Sequence, residues 1–239
     1  MDLVVFDIDG TLTQTHGRYD EYYAQAVEET LGVSLSRSWN EYTHPTDSGI
    51  MHEACIRVSG VAPSRQQVAA AQERYLAKLR VVFTGGEPIP GACALAEALA
   101  SRPEWAVALA TGNWAMAARF KLARAGIAME SIPFASADDA LDRKEIITTA
   151  IGRAAEHLDR SGFDRVVYVG DAIWDVAAAH DLGMPFVLRG SQASHGQSPY
   201  LPSHSLDDFQ DRRAAFDALA NASVPTAKET PNKPDAGDA

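Results

Sequence analysis

The first residues that could carry out chemistry are two aspartates, Asp7 and Asp9, followed directly by Gly10-Thr11. They come at the end of the apolar run Leu3-Val4-Val5-Phe6, a pattern typical of a fully buried strand. Buried strands avoid charge unless something compensates it, so two carboxylates at this position indicate a bound cation. Parallel α/β sheets bind their ligands at this end of the strands. The alternative is a simple turn, since Asp-Gly is a common turn sequence.

A hydroxyl and a glycine follow the apolar run Ala106–Ala110, in the sequence Thr111-Gly112-Asn113. Backbone N–H groups and a hydroxyl between a strand and a helix could form an anion site, helped by the helix dipole. The same residues are also typical of an ordinary helix cap. This segment alone leaves both interpretations open.

A second acidic pair, Asp171 and Asp175, follows the apolar run Val166–Val169. Residues four apart lie on one face of a helix, so the two carboxylates could converge on one cation. One of them could instead be a helix N-cap. Two of them, opposite Asp7 and Asp9, favour a metal site.

Two lysines could supply positive charge to these carboxylates. Lys144 lies at the start of a predicted helix, where the helix dipole disfavours a cation, so we expect its ammonium to point into the site. The alternative is an exposed surface lysine. Lys121 lies within the helix after Thr111, and we rank it behind Lys144 and behind a structural role.

Short apolar runs alternate with alanine-rich helical segments from residue 92 to residue 188, which predicts an α/β fold. Its core is a Rossmann-like parallel sheet flanked by helices. The interval between the first two strands is predicted to be all helical, with helices over Arg18–Leu31, Asp47–Ser59 and Ser64–Val82. We therefore expect a core domain over 1–14 and 85–220, an inserted helical cap domain over 15–84, and a disordered tail over 221–239.

The composition limits the partners that this chain can have. It has 239 residues, with 21 lysines and arginines against 32 acidic residues, and a net charge of −11. Such an excess of negative charge disfavours binding to nucleic acid or to anionic membranes. Cys55 and Cys93 form neither a disulfide framework nor a metal-binding spacing. Without a signal peptide or membrane span, a soluble cytoplasmic protein is expected. The oligomeric state cannot be predicted.

Taken in order, the motifs resemble those of the haloacid dehalogenase superfamily of aspartate-nucleophile hydrolases. The resemblance rests on Asp7-x-Asp9-Gly10-Thr11, Thr111-Gly112, Lys144 and Gly170-Asp171-x-x-x-Asp175. Helices inserted after the first strand are similar to the phosphoglycolate phosphatase-like branch. The resemblance covers the chain from residue 1 to about residue 190.

The resemblance implies a role for each of these residues. Asp7 is the nucleophile and Asp9 the general acid and base. Thr111, Gly112 and Lys144 hold the phosphoryl group, and Thr111 and Lys144 are thereby counted as catalytic. The metal is Mg²⁺, held by oxygens of four residues: Asp7, the main-chain carbonyl of Asp9, Asp171 and Asp175.

The resemblance also implies a phosphatase that hydrolyses a small phosphorylated metabolite through an aspartyl-phosphate. Dehalogenases of this superfamily lack the second aspartate, so the presence of Asp9 argues against dehalogenation. A phosphosugar mutase of the same superfamily is the alternative, and a non-catalytic binding or regulatory protein is the alternative from another class.

Three residues near the cap are expected to contact the leaving group: Arg18, His44 and Thr46. Other interpretations are open for two of them. Thr46 or Asp47 could simply cap the following helix, and His44 could be a surface residue.

Overall fold

The computed structural model describes residues 1–84, 86–127, 131–191 and 198–228. Its centre is a parallel sheet of six strands in the order β3-β2-β1-β4-β5-β7. The strands are β1 (Asp2–Phe6), β2 (Trp105–Ala110), β3 (Phe134–Ala135), β4 (Val166–Gly170), β5 (Phe186–Arg189) and β7 (His204–Leu206). This arrangement confirms the predicted α/β fold.

Strand β1 lies in the middle of the sheet, between β2 and β4. Phe6 is opposite Leu109 of β2 and Val169 of β4, so these three strands end at nearly the same level. The Asp7 backbone N–H donates to the carbonyl of Val169 at 2.9 Å, which extends the pairing by one residue. The residues that follow the three strands therefore meet at one edge of the sheet.

Helices cover both faces of the sheet, as the alternation of β1 side chains requires. Leu3 and Val5 pack with residues of α6 (Arg143–His157) and α7 (Ile173–Asp181) on one face. Val4 and Phe6 pack on the other face with three further helices. These are α4 (Ala92–Ala100), α5 (Ala115–Arg124) and α8 (Arg212–Asn221).

Three helices form an inserted segment between β1 and α4, which we call the cap. They are α1 (Asp20–Leu31), α2 (Asp47–Ser59) and α3 (Arg65–Val82), and a short 3₁₀ helix, Trp39–Glu41, lies between α1 and α2. The two connections to the core run side by side. Gln14 N–H donates to the Glu87 carbonyl at 3.0 Å, and Ile89 N–H donates to the Leu12 carbonyl at 2.8 Å.

The C-terminal region differs from the sequence-based expectation. Helix α8 ends only at Asn221, and Thr226–Ala227 (β8) pairs with Tyr200–Leu201 (β6) in an antiparallel ladder. The expected tail is therefore wrong for its first part, because backbone pairing orders a sequence poor in large apolar residues. Residues 229–239 of that tail, like residue 85 at the predicted cap boundary, lie outside the described residues. None of the described helices is long and apolar enough to cross a membrane.

Candidate active site

Three buried carboxylates meet where β1 and β4 end. One oxygen of each of Asp7, Asp171 and Asp175 lies within 4.8 Å of the others. Gly10 permits this approach, since a Cβ there would be 1.9 Å from Asp171 Oδ2, and its φ of +78° suits glycine. The sequence-predicted metal ligands Asp7, Asp171 and Asp175 are thus brought together.

The electrostatics of this cluster match the needs of a divalent cation. Burial raises the pKa of Asp7 well above its usual range, and the neighbouring charges of Asp175 and Asp171 raise it further. Carboxylates at this separation repel each other unless a cation neutralises them. Oxygen ligands of this kind suit Mg²⁺, so the residues present fit the metal that the sequence predicts.

Asp9 points to the other side of the site, where it pairs with Lys121. The Lys121 Nζ lies 2.9 and 3.0 Å from the two carboxylate oxygens of Asp9. The Thr15 hydroxyl also donates to Asp9, and Lys121 donates to the side-chain oxygen of Asn113. Burial opposes the charge on Lys121, but Asp9, Tyr75 and Asp47 together outweigh it and raise the pKa of the lysine. Lys121 is therefore held as a cation.

A second buried cation comes from Arg143, the first residue of α6. Its Nη1 lies 2.9 Å from Asp175 Oδ1 and 3.4 Å from Asp7 Oδ1. Its Nε has no hydrogen-bond partner among the described residues. Gly112 lies directly against the guanidinium, since a Cβ there would be 2.4 Å from Arg143 Nη2. A guanidinium whose Nη2 lies against a glycine loop is typical of an anion site.

The cap closes over this site through the first turn of α2. The Asp47 N–H donates to the Gly112 carbonyl at 2.7 Å, and Asp47 Oδ2 accepts from the Trp114 N–H at 2.7 Å. The Thr46 hydroxyl donates to the Leu141 carbonyl and accepts from Gly49 N–H. The cap and the core therefore enclose one cavity between them.

Residues from both parts of the chain line this cavity. The core and its connections to the cap contribute Asp7, Asp9, Thr15, His16, Gly17, Thr111, Gly112, Asn113, Lys121, Arg143 and Trp174. The cap and its loops contribute Asp20, Tyr23, Trp39, Pro45, Thr46, Asp47, Ile50 and Tyr75.

Comparison with known proteins places this arrangement in a family. The family model described as haloacid dehalogenase-like hydrolase matches residues 1–183. The chain belongs to this family of hydrolases. The resemblance seen in the sequence is therefore confirmed, and the chain is an enzyme of the hydrolase class.

Solved structures share the fold of this hydrolase. A hydrolase from Pseudomonas syringae has a TM-score of 0.67 at 19% identity, covering 93% of this chain and 100% of that one. CbbY from Rhodobacter sphaeroides, in complex with phosphate, has a TM-score of 0.60 at 22% identity, covering 87% and 95%. A β-phosphoglucomutase from Clostridium difficile has a TM-score of 0.60 at 14% identity, covering 91% and 96%. The comparison with curated protein sequences found no match.

Lys144 of this hydrolase does not lie where the sequence predicted. Its ammonium is exposed on the surface, 3.2 Å from Asp181 Oδ2 and 3.8 Å from Asp142 Oδ2. Asp142 caps α6, which fixes the start of the helix. Adjacent residues of a helix point in different directions, so Arg143 turns into the site while Lys144 turns toward α7. The basic side chains that line the cavity beside Asp7 and Asp9 are instead those of Arg143 and Lys121.

The three residues expected to contact the leaving group have different positions. Thr46 lines the cavity, but its hydroxyl is committed to capping α2 and to the Leu141 carbonyl. His44 is half-buried outside the cavity lining, with Nδ1 3.8 Å from Asp142 Oδ2. Arg18 is exposed on the approach to α1 and does not line the cavity.

Sequence reasoning missed several cavity residues besides Arg143. The His16 Nδ1 lies 3.1 Å from Asp171 Oδ2, and its ring stacks on Trp174. The hydrogen bond that His16 donates to Asp171 raises the pKa of His16 to about 9. Asp20 and Asp47 line the cavity from the cap side. The spacing of these residues could not identify them, because they come together only when the cap folds against the core.

Proposed function

We propose that this hydrolase is a Mg²⁺-dependent phosphatase that cleaves a small phosphate monoester through an aspartyl-phosphate. One observation supports it above the others. The buried guanidinium of Arg143 lies with Nη2 against the Gly112 loop and Nη1 3.4 Å from the carboxylate of Asp7. This arrangement can hold a dianion against a nucleophilic oxygen.

Asp7 is the nucleophile in this proposal. Its carboxylate oxygen attacks phosphorus, the new O–P bond forms, and the bond from phosphorus to the ester oxygen breaks. Asp7, Asp171, Asp175 and the main-chain carbonyl of Asp9 would hold the metal, which would neutralise negative charge on the transferring group. Asp7 attacks in the first half-reaction, which forms the aspartyl-phosphate, and the second half-reaction hydrolyses it; a second carboxylate moves the protons in both.

Asp9 moves the protons. It gives its proton to the departing ester oxygen, and it later takes one from the water that attacks the phosphorus of the aspartyl-phosphate. Inorganic phosphate leaves and the Asp7 carboxylate is restored. Lys121 and Thr15 hold the Asp9 side chain in one orientation during both steps.

Charge balance explains why these residues occur together. A phosphate dianion cannot approach Asp7, Asp9, Asp171 and Asp175 unless cations offset the repulsion. The guanidinium of Arg143 offsets part of it and a bound metal would offset the rest, while Thr111 and Gly112 complete the site at the end of β2. We assign phosphate binding to Thr111, Gly112 and Arg143.

A phosphosugar mutase remains the second candidate, since β-phosphoglucomutase shares the fold. Such an enzyme returns the phosphoryl group to a sugar that already carries a phosphate. Its leaving-group side must therefore accept a second dianion. The cap contributes no lysine or arginine to the cavity lining among the described residues, which favours the phosphatase. A non-catalytic protein would have no need for the paired arrangement of Asp7 and Asp9.

The test is a panel of phosphate esters assayed with Mg²⁺ for both free phosphate and isomerised product. We expect release of stoichiometric phosphate. Asp7→Asn should lose at least about three orders of magnitude in turnover while keeping its circular dichroism spectrum. Near-wild-type activity of Asp7→Asn, or an isomerised product with little phosphate, would exclude the proposal.

A further inference from the structure

We propose that the alcohol of the substrate carries a positively charged nitrogen, so that the substrate is the phosphomonoester of an amino alcohol. This inference rests on the phosphatase proposed above and identifies the class of its leaving group. It follows from how charge and aromatic rings are distributed over the cavity walls.

We call the core side of the cavity the floor and the cap side the roof: the floor holds both basic and acidic side chains, whereas the charged side chains of the roof are acidic. The two buried cations of the floor, Lys121 and Arg143, both belong to the core. The charged groups that the cap contributes to the lining are the carboxylates of Asp20 on α1 and Asp47 on α2. A phosphate bound at the floor directs its alcohol toward this roof. An ammonium on this alcohol would therefore come near the carboxylates of the roof, Asp47 beside the Gly112 loop and Asp20 on α1.

Aromatic rings complete the roof. Trp39 lines the cavity and donates its indole N–H to Asp20 Oδ2 at 2.6 Å, which fixes the indole beside that carboxylate. The ring of Tyr23 lies 5.9 Å from that of Trp39 and 5.7 Å from that of Tyr75. All three rings line the cavity. Aromatic rings next to a carboxylate are the surroundings that bind alkylammonium groups.

The basic side chains of the cap lie elsewhere. Two of them are committed to surface carboxylates: Arg37 pairs with Glu21 and Glu28, and Lys78 pairs with Glu29. The cap residues that line the cavity include no arginine or lysine in the described part of the chain. The two cations whose charge reaches these carboxylates, His16 for Asp20 and Lys121 for Asp47, are themselves paired with Asp171 and Asp9. A leaving group with a carboxylate or a second phosphate would therefore be repelled by Asp20 and Asp47 without a basic side chain of the cap to bind it.

The experiment compares two substrates of nearly equal shape. Phosphoethanolamine and propyl phosphate differ by an ammonium in place of a methyl group, and phosphoglycolate supplies the opposite charge. We expect the wild-type kcat/KM to be at least about tenfold higher for phosphoethanolamine than for either of the others. A preference for propyl phosphate or phosphoglycolate would overturn the inference.

Asp20→Asn isolates the contribution of the roof, because asparagine can still accept the hydrogen bond from Trp39. The ratio of kcat/KM between phosphoethanolamine and propyl phosphate should fall about fivefold in this variant. The intrinsic reactivity of the two esters cancels when the variant ratio is divided by the wild-type ratio. Glu21→Gln, next in sequence but outside the cavity lining, should keep the wild-type ratio. Equal ratios in wild type and Asp20→Asn would also overturn the inference.

A third ester separates this inference from the proposed function. The leaving group of p-nitrophenyl phosphate carries no ammonium, so hydrolysis of this ester reports the phosphatase chemistry alone. Activity on this ester without any preference for phosphoethanolamine would exclude the amino alcohol and leave the phosphatase standing. Absence of activity on all the esters with Mg²⁺ would exclude the phosphatase itself.

Discussion

Lys121 holds both carboxylate oxygens of Asp9, at 2.9 and 3.0 Å, although the two residues are 112 positions apart in the chain. Helix α5 carries the lysine from the core side into the cavity, and its Nζ also lies 5.9 Å above the ring of Tyr75. The pair thus joins β1, α5 and the cap at one point. A buried ammonium at this place orients the residue to which we assign proton transfer.

Lys121→Met should impair proton transfer more than phosphate binding. Without the ammonium, the described partner left to orient the Asp9 carboxylate is Thr15, so kcat for an alkyl phosphate should fall about 100-fold. For p-nitrophenyl phosphate the fall should be much smaller, because that leaving group needs little protonation. Steady-state kinetics with both esters measures the difference.

Lys121→Arg is the matched control, since it keeps a cation beside Asp9. It should recover part of the activity on the alkyl ester. Equal losses for the two esters in Lys121→Met would show that the lysine acts only on the general structure of the cavity.

Much of this molecule could be predicted from sequence because its signals are local. The apolar runs ending at Phe6 and Val169 predicted strands, and the acidic residues that follow them do converge. The sequence could not show which basic residues enter the site, because a shift of one residue along a helix turns a side chain by about 100°. From the sequence alone, either Lys144 or Arg143 could enter the site. The helix N-cap at Asp142 sets where α6 begins and therefore which of the two side chains does so.

Arg143→Met and Lys144→Met test this difference in adjacent residues. Loss of the guanidinium should raise KM at least about tenfold and lower kcat, because a charge-assisted contact to the phosphate is removed. Lys144→Met removes a surface ion pair with Asp181 and should leave kcat/KM within about twofold of wild type.

The same pair can be checked without turnover. Inorganic phosphate should protect wild type and Lys144→Met against thermal unfolding and should protect Arg143→Met much less. A larger kinetic effect from Lys144→Met than from Arg143→Met would return phosphate binding to the lysine that the sequence first suggested.

Mg²⁺ should stabilise the folded protein in the absence of substrate. Repulsion among Asp7, Asp171 and Asp175 is relieved on binding, and a ligand at 100 times its Kd adds about 2.7 kcal/mol to the free energy of unfolding. For a chain of this size that is a rise in Tm of about 5–10 °C. Differential scanning fluorimetry with and without Mg²⁺ measures it.

Two variants decide where the ion binds. Asp171→Asn should abolish most of the Mg²⁺-dependent rise, whereas Asp181→Asn, whose carboxylate lies on the surface beside Lys144, should preserve it. An equal rise in Tm for Asp171→Asn and wild type would place the ion outside the cluster of three carboxylates.

Asp47 should make the protein less stable as pH rises, because its carboxyl is buried at the contact between cap and core. Burial raises its pKa from 3.8 to about 7, with Asp9 and Asp20 adding to the rise and Lys121 and the Trp114 N–H opposing it. A group whose pKa is raised on folding releases its proton more readily in the unfolded chain. Stability therefore falls between pH 4 and 7 and changes little from this residue above about pH 8.

Asp47→Asn removes this titration and keeps an oxygen to accept from Trp114. Relative to the variant, wild type should lose about 2 kcal/mol in free energy of unfolding between pH 5 and pH 8, which paired urea titrations at each pH measure. Parallel pH profiles for the two proteins would show that Asp47 does not titrate in this range.

An ammonium on a bound substrate would stabilise the ionised carboxylate of Asp47 and so offset the free-energy cost of ionising it in the empty cavity. Phosphoethanolamine should accordingly stabilise wild type more at pH 8 than at pH 5, and Asp47→Asn should lose that difference.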